Sequence, residues 1–253
     1  MKYFLSVLIF LSSLYFYADY TAASEKDSHS EATLIETYQA DVTGNGQNEE
    51  IKLKGTRFSN DTNYYQDIWI EITDDHNKHW KVNYGGGYEP TLKFIDLNND
   101  QVSDILYQSA NDKNNNLNNY QLHTLNNGQL NEVSLPEQLY IDGKFMDDYH
   151  VQVKISPDSK PIDMNVKDRA ETYIHQGIYD EQGKLLKSTP ILIDPIAAFD
   201  PFIISESKGY GLKSYKQING GYQNDQLGTV ETTWYFEDND WIILQSEWVP
   251  ADE

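Results

Sequence analysis

Asp41-Val-Thr-Gly-Asn-Gly-Gln-Asn-Glu49, leading into Glu50-Ile51-Lys52-Leu53, and Asp96-Leu-Asn-Asn-Asp-Gln-Val-Ser-Asp104, leading into Ile105-Leu106-Tyr107, are the stretches on which the fold turns. They begin 55 residues apart (96 − 41), and the segments downstream of the two match in order: a polar loop, an alternating strand, a turn and another short strand. The alternating strands are Ile68-Trp69-Ile70-Glu71-Ile72 in the first copy and Tyr120-Gln121-Leu122-His123-Thr124 in the second. The chain therefore carries a duplicated unit of loop, strand, strand, strand. A self-supporting repeat array usually needs three or more copies, so the remainder of the chain is expected to close the structure.

Along the rest of the chain, apolar residues recur at every second position in short bursts bounded by Asn, Asp and Gly. This is the period of half-buried strands. Glu50–Lys54, Ile68–Thr73, Trp80–Tyr84, Ile105–Ser109, Tyr120–Leu125, Val151–Ile155, Tyr173–Tyr179, Leu212–Ile218, Thr229–Phe236 and Trp241–Trp248 are predicted strands. Asp75-His76-Asn77, Asn126-Asn127-Gly128, Glu181-Gln182-Gly183 and Glu237-Asp238-Asn239-Asp240 have tight-turn chemistry, so neighbouring strands are expected to run antiparallel. The Asn-rich segment Asn111–Asn119 reads as a long exposed loop. No third acidic loop of this form occurs beyond Met146, and Asp142-Gly143 offers a turn. The expected division is a duplicated part over 34–145 and a C-terminal antiparallel β part over 146–253.

Asp96, Asn98, Asp100 and Asp104 stand at positions 1, 3, 5 and 9 of their loop, with the backbone carbonyl of Val102 at position 7. Alternate residues of a tightly curled loop can point at one centre, and a hard divalent cation takes six to eight oxygens, so this spacing suits Ca2+. The first loop offers Asp41, Thr43, Asn45, the carbonyl of Gln47 and Glu49, with Gly44 and Gly46 permitting the curl. It has two carboxylates where the second has three, which makes it the weaker site. Asp/Asn/Gly turns without metal share this composition; the duplication in register is what favours the cation.

Position 12 is Lys52 or Tyr107 and not the Glu of an EF-hand. An acid at position 9 with a strand directly behind it, over Asp41–Ile51 and Asp96–Leu106, instead resembles the loops of integrin-type β-propeller repeats, the FG-GAP or VCBS family. The resemblance covers about 110 residues, from Tyr38 to Ser134 with flanks. It implies blade-like sheets with structural, non-catalytic calcium. Thr43 in place of an amide or acid, Gln101 in place of Gly, and the presence of two copies only all depart from the family pattern.

Composition narrows the function. With 19 Lys+Arg against 40 Asp+Glu in 253 residues the net charge is −21, which disfavours nucleic-acid binding through a basic stripe. The absence of Cys excludes disulfide scaffolds, thiolate zinc sites and cysteine nucleophiles. Met1–Ala23 reads as a cleaved secretory signal, with Lys2, an apolar run Phe4–Tyr17 and small residues Thr21-Ala22-Ala23. Residues 24–33 read as a polar leader, and no stable membrane span is expected after cleavage.

Other candidates are weaker. His76 and His79 flank a turn beside Asp74 and Asp75, a pattern that can hold zinc but is more often solvated. His123, His150 and His175 have no partner at ligand spacing. Glu171, Asp180, Asp194 and Asp200 could supply the carboxylate pair of a glycosidase, although such pairs arise by chance in so acidic a chain. Tyr84-Gly85-Gly86-Gly87-Tyr88 reads as a flexible loop whose two tyrosines could stack on a ligand. The aromatic residues of the C-terminal half read mainly as core. The expected protein is mainly β, secreted, calcium-binding and non-enzymatic, located at a bacterial cell surface or envelope and binding a polysaccharide or protein. An extracellular cell-wall glycan hydrolase and a secreted inhibitor or assembly factor with an acidic face are the alternatives.

Overall fold

The computed structural model describes residues 31–112, 117–138 and 140–251; the expected signal segment and residues 24–30 of the expected leader lie outside them. The fold is mostly antiparallel β. Strands β1 (Ala32–Ala40), β2 (Glu49–Arg57), β3 (Tyr64–Thr73), β4 (His79–Ile95), β5 (Asp104–Ala110), β6 (Asn118–Asn126) and β7 (Gln129–Val133) form one seven-stranded meander in chain order. β1 includes Ala32 and Thr33, so the polar leader ends earlier than its composition suggests; the Thr33 hydroxyl donates to the Gly55 carbonyl at 3.0 Å.

β4 runs for 17 residues and serves two neighbours. Its first part, His79–Tyr88, pairs with β3, and its second part, Tyr88–Ile95, pairs with β5. The meander is therefore two leaves that share β4. On β2 the side chains alternate strictly, with Glu49, Ile51, Leu53 and Gly55 buried. Ile51 and Leu53 pack with Ile70 and Ile72 of β3 and, from the second leaf, with Ile105 and Tyr107 of β5. Burial of each aliphatic side chain is worth roughly 1.5–3 kcal/mol.

The two leaves stack face to back. Ile51 and its equivalent Leu106 belong to different cores: Ile51 faces the second leaf, whereas Leu106, on the opposite face of β5 from Ile105, packs with Leu97 and Leu122 against Phe199, Leu212 and Trp234 of the C-terminal part. The second leaf is thus covered on both sides, and nearly every residue of β5 is buried.

The C-terminal part contains β8 (Asp142–Met146), β9 (His150–Lys154) and β10 (Ile162–Asn165) in a three-stranded sheet, then a 3-10 turn (Lys167–Arg169), helix α1 (Ala170–His175), and a four-stranded sheet of β11 (Leu192–Ser205), β12 (Gly209–Asn219), β13 (Gln226–Glu237) and β14 (Asp240–Pro250). The four-stranded sheet buries one face in two places. Leu212 and Trp234 meet the second leaf, while Ile218, Val230 and the ring of Trp248 meet β8, β9 and α1. The segment between β7 and β8 crosses between these contacts. There the Thr232 hydroxyl donates to Gln138 Oε1 at 2.8 Å, Lys216 Nζ donates to the Gln138 carbonyl at 3.1 Å, and Trp241 Nε1 donates to the Ser134 carbonyl at 2.8 Å.

Four expectations are corrected. Tyr173–Tyr179 is not a strand, since α1 occupies Ala170–His175. The helix stops because Gly177 adopts φ +68°, a conformation glycine tolerates, and its N–H reaches back to the Ile174 carbonyl. Tyr173 is buried and its hydroxyl donates to Asp225 at 2.7 Å, alongside Arg169 at 2.7 Å, so buried polar contacts hold the helix in place. Asp142-Gly143 lies inside β8, so the β8–β9 hairpin spans the expected boundary at 145/146 and the break after the meander falls at 134–141. Glu181-Gln182-Gly183 does form a turn, but it closes only an isolated bridge, Tyr179 to Leu185. Tyr84–Tyr88 is not a loop, because all five residues lie within β4.

Candidate functional site

The two acidic loops join β1 to β2 and β4 to β5, and most of their hydrogen bonds correspond; at position 1 the first loop's acid accepts from positions 4 and 6 and the second loop's from positions 5 and 6. The carboxylate at position 1 accepts backbone N–H groups from inside its own loop: Asp41 from Gly44 at 2.8 Å and Gly46 at 2.9 Å, Asp96 from Asp100 at 3.1 Å and Gln101 at 2.9 Å. The position 5 side chain accepts from position 7, Asn45 from Gln47 N at 2.7 Å and Asp100 from Val102 N at 2.9 Å. The acid at position 9 turns back onto positions 2 and 3. Glu49 Oε2 accepts from Val42 N at 2.9 Å and Thr43 N at 3.1 Å, and Asp104 Oδ2 accepts from Leu97 N at 2.8 Å and Asn98 N at 3.0 Å.

The backbones match as well. Positions 4 and 6 are left-handed in both loops, Gly44 (+72°) and Gly46 (+83°) in the first and Asn99 (+62°) and Gln101 (+72°) in the second. Glycine meets this requirement freely in the first loop. The second loop places two side-chain-bearing residues there at some cost in strain, and Asn99 is held by donating from Nδ2 to the Phe236 carbonyl at 3.0 Å. The strands fix the position 9 acids: Glu49 continues the inward row of Ile51 and Leu53, and Asp104 starts the buried strand β5, so both are buried carboxylates. Burial pushes the Asp104 carboxyl up to about 6, against the lowering by the Leu97 and Asn98 amides.

At the centre of the second loop stands the Asn98 side-chain amide. Its Nδ2 lies 3.1 Å from Asp100 Oδ2, 3.1 Å from Asp104 Oδ1 and 3.2 Å from Thr124 Oγ1, while its Oδ1 accepts the Asp100 N–H at 2.9 Å. In the first loop the Thr43 hydroxyl donates to Glu49 Oε1 at 3.0 Å. A partial positive charge thus occupies the space between the acids. Asp96, Asp100 and Asp104 do not bring one oxygen each within 4.8 Å of one another: among the described residues that condition is met by Asp74, Asp75 and His76 alone. The latter is an exposed turn in which Asp74 Oδ1 accepts from His76 N at 2.9 Å and Lys78 N at 2.7 Å, while His79 Nδ1 pairs with the Thr73 hydroxyl at 2.9 Å.

The donor set of the loops fits a hard cation. It consists of carboxylate, amide, hydroxyl and backbone carbonyl oxygens with no sulfur or imidazole. A half-turn of the Asn98 amide exchanges its N for its O toward the centre. Stacking of the leaves brings the loops together, so that a Cβ on Gly44 would stand 2.6 Å from Val102 Cγ2. Between them opens a cleft of about 430 Å³ lined by Thr43, Asn45, Asp100, Val102, Asp74 and Trp80 among others. Trp80 Nε1 donates to the Gly128 carbonyl at 3.0 Å and Lys78 Nζ lies 4.7 Å from the ring centroid, which occupies one side of the tryptophan.

The remaining candidates are dispersed. Tyr84 is buried, stacked on Tyr107 with centroids 3.8 Å apart, and Tyr88 is half-buried with its ring 5.0 Å from that of Tyr64, so this pair is not an exposed stacking platform. Glu171 lies on α1, Asp180 in a turn where its carboxylate accepts from Gln182 N and Lys184 N, and Asp194 and Asp200 on β11, where Asp200 faces Lys93 at 3.7 Å. A second cleft, of about 550 Å³, lies between the second leaf and the four-stranded sheet, with Tyr120, Phe199, Leu135 and Lys216 in its walls. Sequence reasoning offers no signal for it, because its walls come from segments distant in the chain. No helix among the described residues is long and apolar enough to cross a membrane.

A family model described as the YybI C-terminal domain matches residues 139–249, the part from β8 to β14. An uncharacterized protein YybI of Bacillus subtilis (strain 168) is 22% identical over 210 residues, covering 80% of this chain and 79% of the relative. That similarity therefore extends beyond the matched domain into the meander. No solved structure matches the chain.

Proposed function

We propose that this is an exported, non-enzymatic, calcium-stabilised protein of the bacterial cell surface or envelope, whose loop-bearing end is stiffened by Ca2+ for binding a polysaccharide or protein. The observation that carries the reading is the shared backbone design of the two loops: left-handed residues at positions 4 and 6, a position 5 side chain that accepts from position 7, and a returning acid at position 9. An ordinary turn has no reason to be reproduced in such detail at two places with different sequences. The oxygen-only donor set selects a hard cation, with Asp96, Asn98, Asp100, Asp104 and the Val102 carbonyl as its ligands in the second loop and Asp41, Thr43, Asn45, Glu49 and the Gln47 carbonyl in the first. The similarity of the loops to FG-GAP or VCBS repeats supports the same ion, and the Bacillus relative supports a bacterial setting.

The test is thermal unfolding of residues 24–253 in EDTA, in about 5 mM calcium and in equal magnesium; extracellular calcium modules bind at about 10⁻⁴–10⁻³ M. A calcium-selective rise in Tm is expected. Superimposable curves in the three conditions would make both loops metal-free turns.

A further inference from the structure

Lys216 breaks the apolar row of β12. Leu212, Ser214 and Ile218 on the same face of that strand are buried, and the neighbours of Lys216 across the sheet are Ile196 on β11 and Val230 on β13. The lysine thus stands on the inward face of the four-stranded sheet, between the core that contains Leu212 and Trp234 and the core that contains Ile218 and Val230. The cleft of about 550 Å³ opens at this gap, with Lys216 in its wall.

Little offsets the desolvation of this ammonium. Its Nζ donates to the Gln138 carbonyl at 3.1 Å, and it enters none of the ion pairs among the described residues. Burial lowers its pKa, opposed by Glu137 at the exposed rim of the cleft. Half-burying a cation with no carboxylate beside it is costly, although the chain has 40 acids from which to supply one. An ammonium has three donors, so the bond to Gln138 leaves donors free for another acceptor.

The rest of the wall beside Lys216 is largely apolar. Tyr120 meets Phe199 edge-on, with centroids 5.4 Å apart, and Leu135 and Ile196 line the same cleft. Small-molecule sites have this character, about 300–1,000 Å³ of largely apolar surface with a few convergent polar groups, and they favour junctions between structural units. Glu132 and Glu137 also border the cleft, both exposed. Their charges oppose a polyanion and leave room for a single negative charge placed directly on Lys216.

We propose that the cleft between the second leaf and the four-stranded sheet is a binding site for a small monocarboxylic acid with an apolar body. The carboxylate takes the free donors of Lys216, and the body lies against Tyr120, Phe199 and Leu135. No residue of the two acidic loops lines this cleft, so the site is separate from the calcium reading.

The probes are phenylacetate and its uncharged counterpart phenylacetamide, titrated into the full protein at neutral pH and followed in amide correlation spectra. Phenylacetate is expected to shift the signals of Tyr120, Phe199 and Lys216 saturably in the millimolar range. Phenylacetamide should bind at least about tenfold more weakly, the difference that one charge-assisted hydrogen bond makes. Lys216→Met keeps the apolar stem and removes the charge, and should bring acid and amide to the same weak affinity. Glu137→Gln, at an exposed position, should strengthen binding of the acid about two- to fivefold, the worth of one exposed charge, and leave the amide unchanged. If Lys216→Met does not fold, the ratio of acid to amide in the wild type and in Glu137→Gln decides the matter. Equal affinity for acid and amide in the wild type, or no shift at the cleft with either, would overturn the proposal. A preference for the acid that persists in folded Lys216→Met would do the same.

Discussion

Asp104→Asn separates the two roles that Asp104 could play, cap or cation ligand. The side chain is fully buried and accepts from Leu97 N, Asn98 N and Asn98 Nδ2. Asparagine keeps one oxygen where Oδ2 stands, so both backbone N–H groups retain an acceptor. Each bond falls from the charge-assisted range of about 1.5–3 kcal/mol to about 1 kcal/mol. Burying a neutral group in place of a charge offsets part of that loss, because desolvation already opposes ionisation here. In EDTA at pH 7.5 the net cost should be about 1 kcal/mol, or about 2–4 °C in Tm. In calcium the effect is larger. With Kd about 10⁻⁴ M, 5 mM Ca2+ adds about 2 kcal/mol of stability per site, and removing the position 9 charge should abolish the part due to the second loop, about 4–8 °C. The assay is calorimetric or fluorescence-detected melting of wild type, Asp104→Asn and, as control, Asp168→Asn, whose side chain is 73% exposed. A calcium-induced rise that survives intact in Asp104→Asn would refute the assignment of Asp104 as a ligand.

Gly44→Ala should lower Tm with or without calcium, by about 1–3 kcal/mol in stability, because the residue sits at φ +72° and the new methyl meets Val102 Cγ2 at 2.6 Å; an unchanged melting curve would mean that the loops are not in contact. Asp225→Ala should cost roughly 3 kcal/mol in chemical denaturation, since Arg169, Tyr173 and the Gly221 N–H all donate to this carboxylate. His123 has its pKa lowered by burial, so below the unfolded value near 6.5 the unfolded chain binds the extra proton. Stability should accordingly fall as pH drops from 6.5 toward the folded pKa, and His123→Gln should flatten that part of the pH profile; a parallel decline in the variant would assign the dependence to other groups.

Alternation and turn chemistry made much of the meander legible in sequence, because β2 and β3 each bury one face and leave the other half-buried. The β11 edge strand is not legible in the sequence: Pro195 and Pro201 interrupt its pattern, and its register shifts at several points. An edge tolerates proline because only one side of the strand must donate hydrogen bonds. The helix at Tyr173 is masked for the opposite reason, since Tyr173-Ile174-His175-Gln176-Gly177-Ile178-Tyr179 imitates a period of two while its Gly177 ends a single helical segment. In the candidate site, residue spacing anticipated which side chains share a loop. It could not show that the Asn98 amide stands between Asp100 and Asp104, which is a matter of one side-chain rotation. Nor could it show that Tyr84, beside three glycines, is drawn into the core by Tyr107, a partner 23 positions away (107 − 84).

Binding of calcium by the paired loops can be counted ion by ion, in equilibrium dialysis of the protein against radioactive calcium at millimolar concentration with excess magnesium. Two ions per chain are predicted for the wild type, one for Asp96→Ala combined with Asp100→Ala, and one for Asp41→Ala combined with Asn45→Ala. No saturable calcium up to several millimolar, or the same stoichiometry in all three proteins, would contradict it.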